Sequence, residues 1–382
     1  MTFRHTSADY TIVGAGVLGM SLAFYLAKQG KKVALLEKNE PGKEASWSGA
    51  GILPAARLDS AFDVMDKLRG YSHEQYPVWA KELEELTGID VGYRQTGGIF
   101  LGRTPSEGAA LKGEFLELQE RRIEIEPLTW QELIKKEPLL GQAVSENDLS
   151  FAYFLPGMAQ VRNPYFLRAL SMACEKLGVE VITHCTVTDF HKEKERVLSI
   201  ETTRGRLPVG QLCIAAGAWS GGLLKQLGVS NCIGPIRGQI LLFHRKKAPF
   251  QTILCEGDHY LVSRDDGYVL VGSTLEDVGF DKSTTQEGRK VLLQFAQSLL
   301  PSLKEGDILK QWSGLRPHTL DAQPYLGKVF GFENVFSCSG HFRSGLHLAP
   351  ACAAAIGELM SGNSSPFELA PFSPSRLGKL KI

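Results

Sequence analysis

The feature that most restricts this chain is the run Gly14–Ala15–Gly16–Val17–Leu18–Gly19, set between segments of different periodicity. Before it, Tyr10–Val13 is a short β-branched run that reads as a strand. After it, Leu18, Leu22 and Leu26, with Ala23 and Ala27, repeat at helical spacing over Leu18–Gln29. A second strand, Lys32–Leu36, then ends at Glu37. In such a unit Gly14 permits the tight turn, Gly16 lets the backbone approach a pyrophosphate, and Gly19 lets helix and strand pack closely. Free N–H groups at the helix start face the phosphates, and Glu37 is placed to accept hydrogen bonds from ribose hydroxyls. The unit therefore predicts a parallel sheet and a dinucleotide ligand. Alone, it does not separate NAD from FAD.

At 382 residues the chain exceeds one ordinary core, so two domains, or one with a large insertion, are expected. The small-residue stretch Ala45–Ser46–Trp47–Ser48–Gly49–Ala50–Gly51 is not expected to form a packing helix, whereas Phe62–Leu86 reads as a long amphipathic one. Short strands and polar helices fill Gly92–Leu140. Tyr153–Val161 and Glu180–Thr186 read as strands around the helix Pro164–Leu177. Residues 197–216 give a hairpin-like pair leading into the strand Gln211–Ala215. Gly238–His244, His259–Ser263 and Tyr268–Ser273 read as strands, with a hairpin turn at Asp265–Asp266–Gly267. Gln286–Leu300 is a predicted helix; the chain closes with the strand Asn334–Cys338, a glycine turn and the helix Pro350–Met360. Nucleotide-binding signals thus sit at the start, middle and end, with antiparallel material between them. The expectation is an α/β fold of two discontinuous domains. A Rossmann-like nucleotide domain spans 1–90, 150–230 and 315–382, and an interleaved, largely antiparallel α+β substrate domain spans 91–149 and 231–314.

Lys+Arg and Asp+Glu both total 42, so net charge gives no reason to expect nucleic acid or an acidic membrane as partner. The seven cysteines are scattered singly, with no CxxC pair, which fits reduced thiols in the cytoplasm. No signal-peptide pattern precedes the first strand, and no run approaches the roughly 20 apolar residues that span a bilayer. His184 and Cys185 are adjacent but lack a third ligand at metal-binding spacing, so no metal is expected.

Two later segments favour FAD. Leu212–Ala216 ends in small residues and Gly217, which lets that strand edge approach the dinucleotide again. Ser339–Gly345 leads into an apolar helix whose N-terminus suits the negative charge of a reduced flavin; the alternative is a glycine turn that merely caps the helix.

Taken together, Gly14–Gly19 with Glu37, the segment EASWSGAGIL (44–53), SGLRPHTLDAQPYLG (313–327) and GHFRSGLHLAP (340–350) resemble the D-amino-acid-oxidase superfamily of flavoproteins. Within it they are most similar to the glycine oxidases of thiamine-thiazole biosynthesis, in the same order from about residue 9 to 360. The resemblance implies that Arg316 clamps the substrate carboxylate, a task suited to a planar guanidinium fork. It implies that Tyr260 supports that carboxylate and that Arg343 lies near flavin and substrate. For FAD it points to Val17 and Leu18 at the phosphate turn and to Glu37 and Lys38 at the ribose. It adds Ala45, Ser46, Ala50, Gly51 and Ile52 along the flavin, Val187 near the adenine, and His341, Phe342, Arg343, Ser344, Gly345, Leu346 and His347 at the ring. The reaction implied is hydride transfer from Cα of glycine, sarcosine or a small D-amino acid to flavin N5, with oxygen as acceptor and hydrogen peroxide as product. A homotetramer is also implied.

Several departures stand out. Gly314 occupies the place where related sarcosine oxidases attach FAD through cysteine, so the cofactor is expected to be non-covalent. His318 replaces a usual glycine, as a pocket group or merely a loop side chain, and Ala322–Gln323–Pro324 replaces Gly-x-Pro. Leu275 aligns with an apolar pocket position. The rival readings are a D-amino-acid or sarcosine dehydrogenase passing electrons to a quinone, a flavin module of tRNA modification, and an idle FAD-binding scaffold.

Overall fold

The computed structural model describes residues 8–376. The first strand, Tyr10–Val13, lies parallel to Val33–Leu36 on one side and to Gln211–Ile214 on the other. The sheet extends outward through Glu180–Ile182 beyond the second strand, and through Val335–Ser339 and Tyr325–Lys328 beyond the third, giving six strands. The three central strands are buried along almost their whole length and mostly apolar, with Thr11 and Gln211 the exceptions, as suits strands covered on both faces. The helices Val17–Lys28, Val64–Thr87, Asn163–Lys176 and Gly345–Met360 pack together over one face and share its main core. On the opposite face lies a three-stranded sheet of Val187–Glu193, Arg196–Thr202 and Gly205–Pro208.

Eight further strands form a second large sheet. Its order is Ile308–His318, Gly234–His244, Tyr268–Gly272, His259–Ser263, Ile253–Glu256, Gly98–Gly102, Phe151–Leu155 and Glu126–Pro127. Its pairings are antiparallel except for Ile253–Glu256 against Gly98–Gly102. The helix Gln286–Leu299 and the segment Leu128–Val144 close its own apolar core.

The structure corrects four local expectations. Tyr153–Val161 is not one strand: the chain turns at Pro156–Gly157, so Phe151–Leu155 joins the large sheet while Ala159–Gln160 pairs with Ile52–Leu53. Glu180–Thr186 is a strand only to Ile182. The small-residue stretch does contain a helix, the single turn Ala45–Ser48. The last helix begins at Gly345, not Pro350. Pro350 has no N–H for the Leu346 carbonyl one turn earlier, and the buried Tyr76 hydroxyl donates to that carbonyl instead. Tyr76→Phe should leave the carbonyl unpaired and lower unfolding free energy by about 1–3 kcal/mol. Equal melting temperatures for the two proteins would show that the hydroxyl is dispensable.

Candidate active site

The turn after the first strand is built for close approach. A Cβ at Gly14, whose φ is +107°, would stand 2.5 Å from the Ala215 carbonyl oxygen, and one at Gly19 would strike the Gly14 carbonyl. The first fact brings the edge Ala215–Ala216–Gly217 against the turn; the second forces helix and strand together. Glu37 is buried, its carboxylate accepting from Ala15 N and Asn39 N, both at 3.0 Å. These two bonds fix its direction and leave each oxygen a further lone pair. Ser46 accepts from Val17 N at 2.9 Å at the mouth of the helix, while among the described residues neither Gly16 nor Leu18 N–H has a partner. Val187 is buried in the core that also takes Leu36 and Ile182, next to the end of the second strand. Lys38 lays its ammonium 3.0 Å from the centre of the Trp219 ring, and burial lowers its pKa. A cradle of glycines, a helix N-terminus and an oriented carboxylate fit a dinucleotide of the FAD type.

The segment from Ala45 to Ile52 is held by side chains that grip its carbonyls. Asn163 donates to Ser46 O at 2.8 Å and Gly49 O at 3.0 Å, Arg264 to Ala50 O at 2.7 Å, and Trp312 Nε1 to Ser48 O at 3.1 Å. Gly51, with φ +76°, passes tightly against Val161. Trp312 and Gly314 therefore bring the strand Ile308–His318 beside this segment, and Arg316 lies two residues further on.

Arg316 and Tyr260 belong to the first and fourth strands of the large sheet, and they converge from opposite sides. Each needs a glycine on the strand it crosses. The Arg316 guanidinium fills the space a Cβ would take at Gly238, and the Tyr260 ring and hydroxyl fill that at Gly272. Ser273 follows Gly272, and its buried hydroxyl accepts from Arg316 Nη2 at 2.7 Å; Arg316 Nη1 donates to the Thr274 carbonyl at 3.2 Å. The Tyr260 hydroxyl shares Ser273, and its pKa is raised by burial against the opposing pull of the Arg316 charge. Burial likewise lowers the Arg316 pKa from its usual high value, with Tyr260 and the more distant Asp258 and Glu276 acting against that. Both acceptors of the guanidinium are uncharged, so the site offers a cation with room for an anion.

Arg343 stands at the rim, half exposed, paired with Asp258 at 2.9 Å and close enough for its charge to act on Arg316 and Tyr260. Phe342 adopts a left-handed φ of 48°, sparsely populated for a bulky side chain, while its N–H donates to Pro317 O at 2.8 Å. Its ring meets His318, at the end of the strand, with centroids 5.0 Å apart. Leu275 is exposed beside the site.

The two histidines of the C-terminal turn face inward. His341 lies 3.3 Å from the Cys352 thiol, and Cys338, His341 and Cys352 place their donor atoms within 4.8 Å of one another, all buried. His347 is buried edge-on to His73 of the long helix. Burial pushes each imidazole down to about 3, so both are neutral packing groups. Ser344 and Gly345 open the last helix, Ser344 as its N-terminal flanking residue.

Sequence reasoning missed Ser273, Gly238, Gly272, Asn163 and Arg264. For Asn163 the signal was present: an Asn–Pro pair opening a helix beside the turn. The others depend on which strands become neighbours.

The family model described as FAD dependent oxidoreductase matches residues 9–359. The chain belongs to that family. This FAD dependent oxidoreductase is 34% identical to a glycine oxidase of Pseudomonas aeruginosa, over 97% of this chain and 99% of the relative. It is 33% identical to the bifunctional protein ThiO/ThiG of Trichormus variabilis, over 97% of this chain and 55% of that one. The crystal structure of glycine oxidase from Geobacillus kaustophilus superimposes with a TM-score of 0.90 at 31% identity, covering 97% of this chain and 98% of that one. The α/β architecture is thus that of the family. Among the described residues, no helix is long and apolar enough to cross a membrane.

FAD binding supplies a test of the cradle. Glu37→Gln would turn an amide N–H₂ toward the Ala15 or Asn39 N–H, since an amide has one acceptor oxygen where the carboxylate has two. The FAD dissociation constant should rise about tenfold, the equivalent of one lost hydrogen bond of about 1.4 kcal/mol. Titration of the apoprotein with FAD reads this directly, and an unchanged constant would remove Glu37 from the cofactor site.

Proposed function

We propose that this FAD dependent oxidoreductase oxidises glycine and other small amino acids, such as sarcosine and small D-amino acids, with oxygen as acceptor. With glycine, oxygen and water are consumed, and glyoxylate, ammonia and hydrogen peroxide are formed. The imine that precedes hydrolysis is the unit proposed to enter the thiazole of thiamine. The reading rests above all on Arg316 and Tyr260 meeting over two glycines, next to the segment that lines the cofactor cradle. Glycine oxidases among the relatives point the same way.

FAD, when bound, supplies the two-electron oxidant that takes hydride from the substrate Cα. The chain's own residues do the rest. Arg316 engages the carboxylate with two parallel charge-assisted bonds from the guanidinium N–H groups that Ser273 and Thr274 leave free. Tyr260 donates its hydroxyl to the same carboxylate, since its raised pKa keeps the proton at neutral pH. Fixing the carboxylate restricts how Cα can lie over the cofactor cradle, and this positioning is the main contribution asked of these residues. No side chain is assigned as general base. Arg343 at the rim adds positive potential that draws in the anion.

We assign Val17, Leu18, Glu37, Lys38, Ser46, Gly51, Val187 and the backbone of 341–347 to FAD, held without a covalent bond. The domain division is proposed with two boundaries moved: Phe151–Leu155 and Ile308–His318 lie in the large sheet, so the two segments of the substrate domain run to about Leu155 and His318. A cytoplasmic homo-oligomer is also proposed, supported by seven free thiols and by exposed Phe62, Phe280 and Phe330. The deciding experiment is an aerobic peroxide assay of the FAD-loaded protein with glycine, sarcosine and D-alanine, paired with anaerobic bleaching of the flavin. Bleaching without peroxide under air would move the assignment to a quinone-linked dehydrogenase. No bleaching by any of the three would sink it.

A further inference from the structure

On the sheet face turned away from Arg316, a second arginine is buried and fully engaged. Arg237 precedes Gly238, so its side chain leaves the strand on the opposite side; it is 3% exposed. Its backbone exchanges hydrogen bonds with Glu276 at 2.9 and 3.0 Å. Its Nε donates to Glu276 Oε2 at 2.9 Å, with Nη2 on the same oxygen, while Nη1 reaches Asp281 at 2.7 Å and Ser283 at 3.3 Å. Gln239, also buried, completes the hold: its side chain donates to Glu276 Oε1 at 2.7 Å and its backbone N–H to Thr274 Oγ1 at 2.9 Å. The Thr274 hydroxyl then donates to Glu276. Apart from the two bonds of Arg237 Nη1, these converge on Thr274 and Glu276, in the stretch Ser273–Glu276 whose Ser273 and Thr274 supply both acceptors of the Arg316 guanidinium.

We propose that Arg237 is a positioning residue for the substrate clamp: through Glu276 and Thr274 it fixes the backbone that aims Arg316. A buried ion pair contributes little net stability compared with apolar residues of the same volume, but it defines position sharply because each partner has a directed set of bonds. The Ser273–Glu276 stretch runs beyond the end of the regular strand Tyr268–Gly272, where the regular ladder of hydrogen bonds no longer fixes it. The Arg237 side chain reaches that stretch from the neighbouring strand, and the two arginines grip it from opposite faces of the sheet.

The inference rests on the reading of Arg316 as the carboxylate clamp, and its test separates the two. Steady-state kinetics with glycine are measured on FAD-loaded Glu276→Gln, which is isosteric but loses the charge and one acceptor oxygen, and on Arg237→Lys, which keeps the charge and loses the fork. Both should raise KM about five- to twentyfold, the range of coupling within one hydrogen-bonded network, with kcat within about twofold and flavin content unchanged. In an Arg316→Lys background, the added effect of Glu276→Gln on KM should shrink to less than about twofold, because the clamp it aims is already lost. A purely structural role would lower the melting temperature and the active fraction while leaving the KM of that fraction unmoved, and that result overturns the proposal. So does an undiminished effect of Glu276→Gln in the Arg316→Lys background. If Arg316→Ala leaves KM unchanged, the clamp reading falls and takes this inference with it. If Arg316→Ala raises KM while the other two variants do not, only the inference falls.

Discussion

Arg316→Ala should lower kcat/KM for glycine by roughly a hundred- to a thousandfold, most of it through KM, while FAD stays bound. The magnitude follows from losing charge-assisted bonds to a carboxylate in a partly dry site, about 3–4 kcal/mol, at about 1.4 kcal/mol for each factor of ten. The split follows from timing. The carboxylate carries the same charge before and during hydride loss from its neighbouring Cα, so the loss appears chiefly as weaker binding. Stability should move the other way. In the protein alone Arg316 is a cation whose acceptors, Ser273 Oγ and the Thr274 carbonyl, are neutral, and burial works against its charge. Removing it should leave the melting temperature unchanged or slightly raised, a trade often met at binding sites. A variant with wild-type KM, or one that loses flavin and unfolds, would contradict this account.

The second large effect is acid instability. His341 and His347 are pushed by burial to about 3 in the folded protein, against an unfolded value of about 6.5. Their folded pKa is depressed, so the neutral form is the native one. The stability they contribute is complete above about pH 6.5 and declines as pH falls from there toward 3. At pH 5 each costs about 2 kcal/mol relative to pH 7, and together about 4 kcal/mol of a typical 5–15. The range from pH 6.5 to 5 lies above the titration of most carboxylates, which isolates the imidazoles. Urea unfolding at pH 7 and pH 5 should show this loss, and His347→Phe should remove about half of it. Equal stability at the two pH values would mean that water or the turn reaches these rings.

Much of the fold was legible because local chemistry and the final structure agree. The strand, glycine turn, helix and second strand at residues 10–37 are dictated by nearest neighbours, and only terminal residues differ. The strand that carries Arg316 shows in the sequence only as a motif. Gly314 and Pro317 weaken its strand pattern, yet Ile308–His318 is an edge strand, where proline can leave the outer side without a donor at no cost to the ladder. The last helix begins ahead of its proline for a similar reason: Pro350 suits a first helical position, yet it lies a turn inside because Tyr76, far away in sequence, satisfies the carbonyl it strands. Arg316, Tyr260 and Arg343 could be picked out as a set only through the resemblance. Ser273, Gly238 and Gly272 have no such mark; their importance comes from lying between Arg316 and Tyr260 once four strands are in register.

Gly238 and Gly272 have a consequence for how such an enzyme can change its diet. The gaps that admit Arg316 and Tyr260 are absences of side chain on neighbouring strands of one hydrogen-bonded sheet, so the floor beneath the substrate cannot be deepened or tilted without unzipping that sheet. Selectivity for larger amino acids must then be rebuilt from above; exposed Leu275, next to Thr274, is a position that can change without disturbing the anchor.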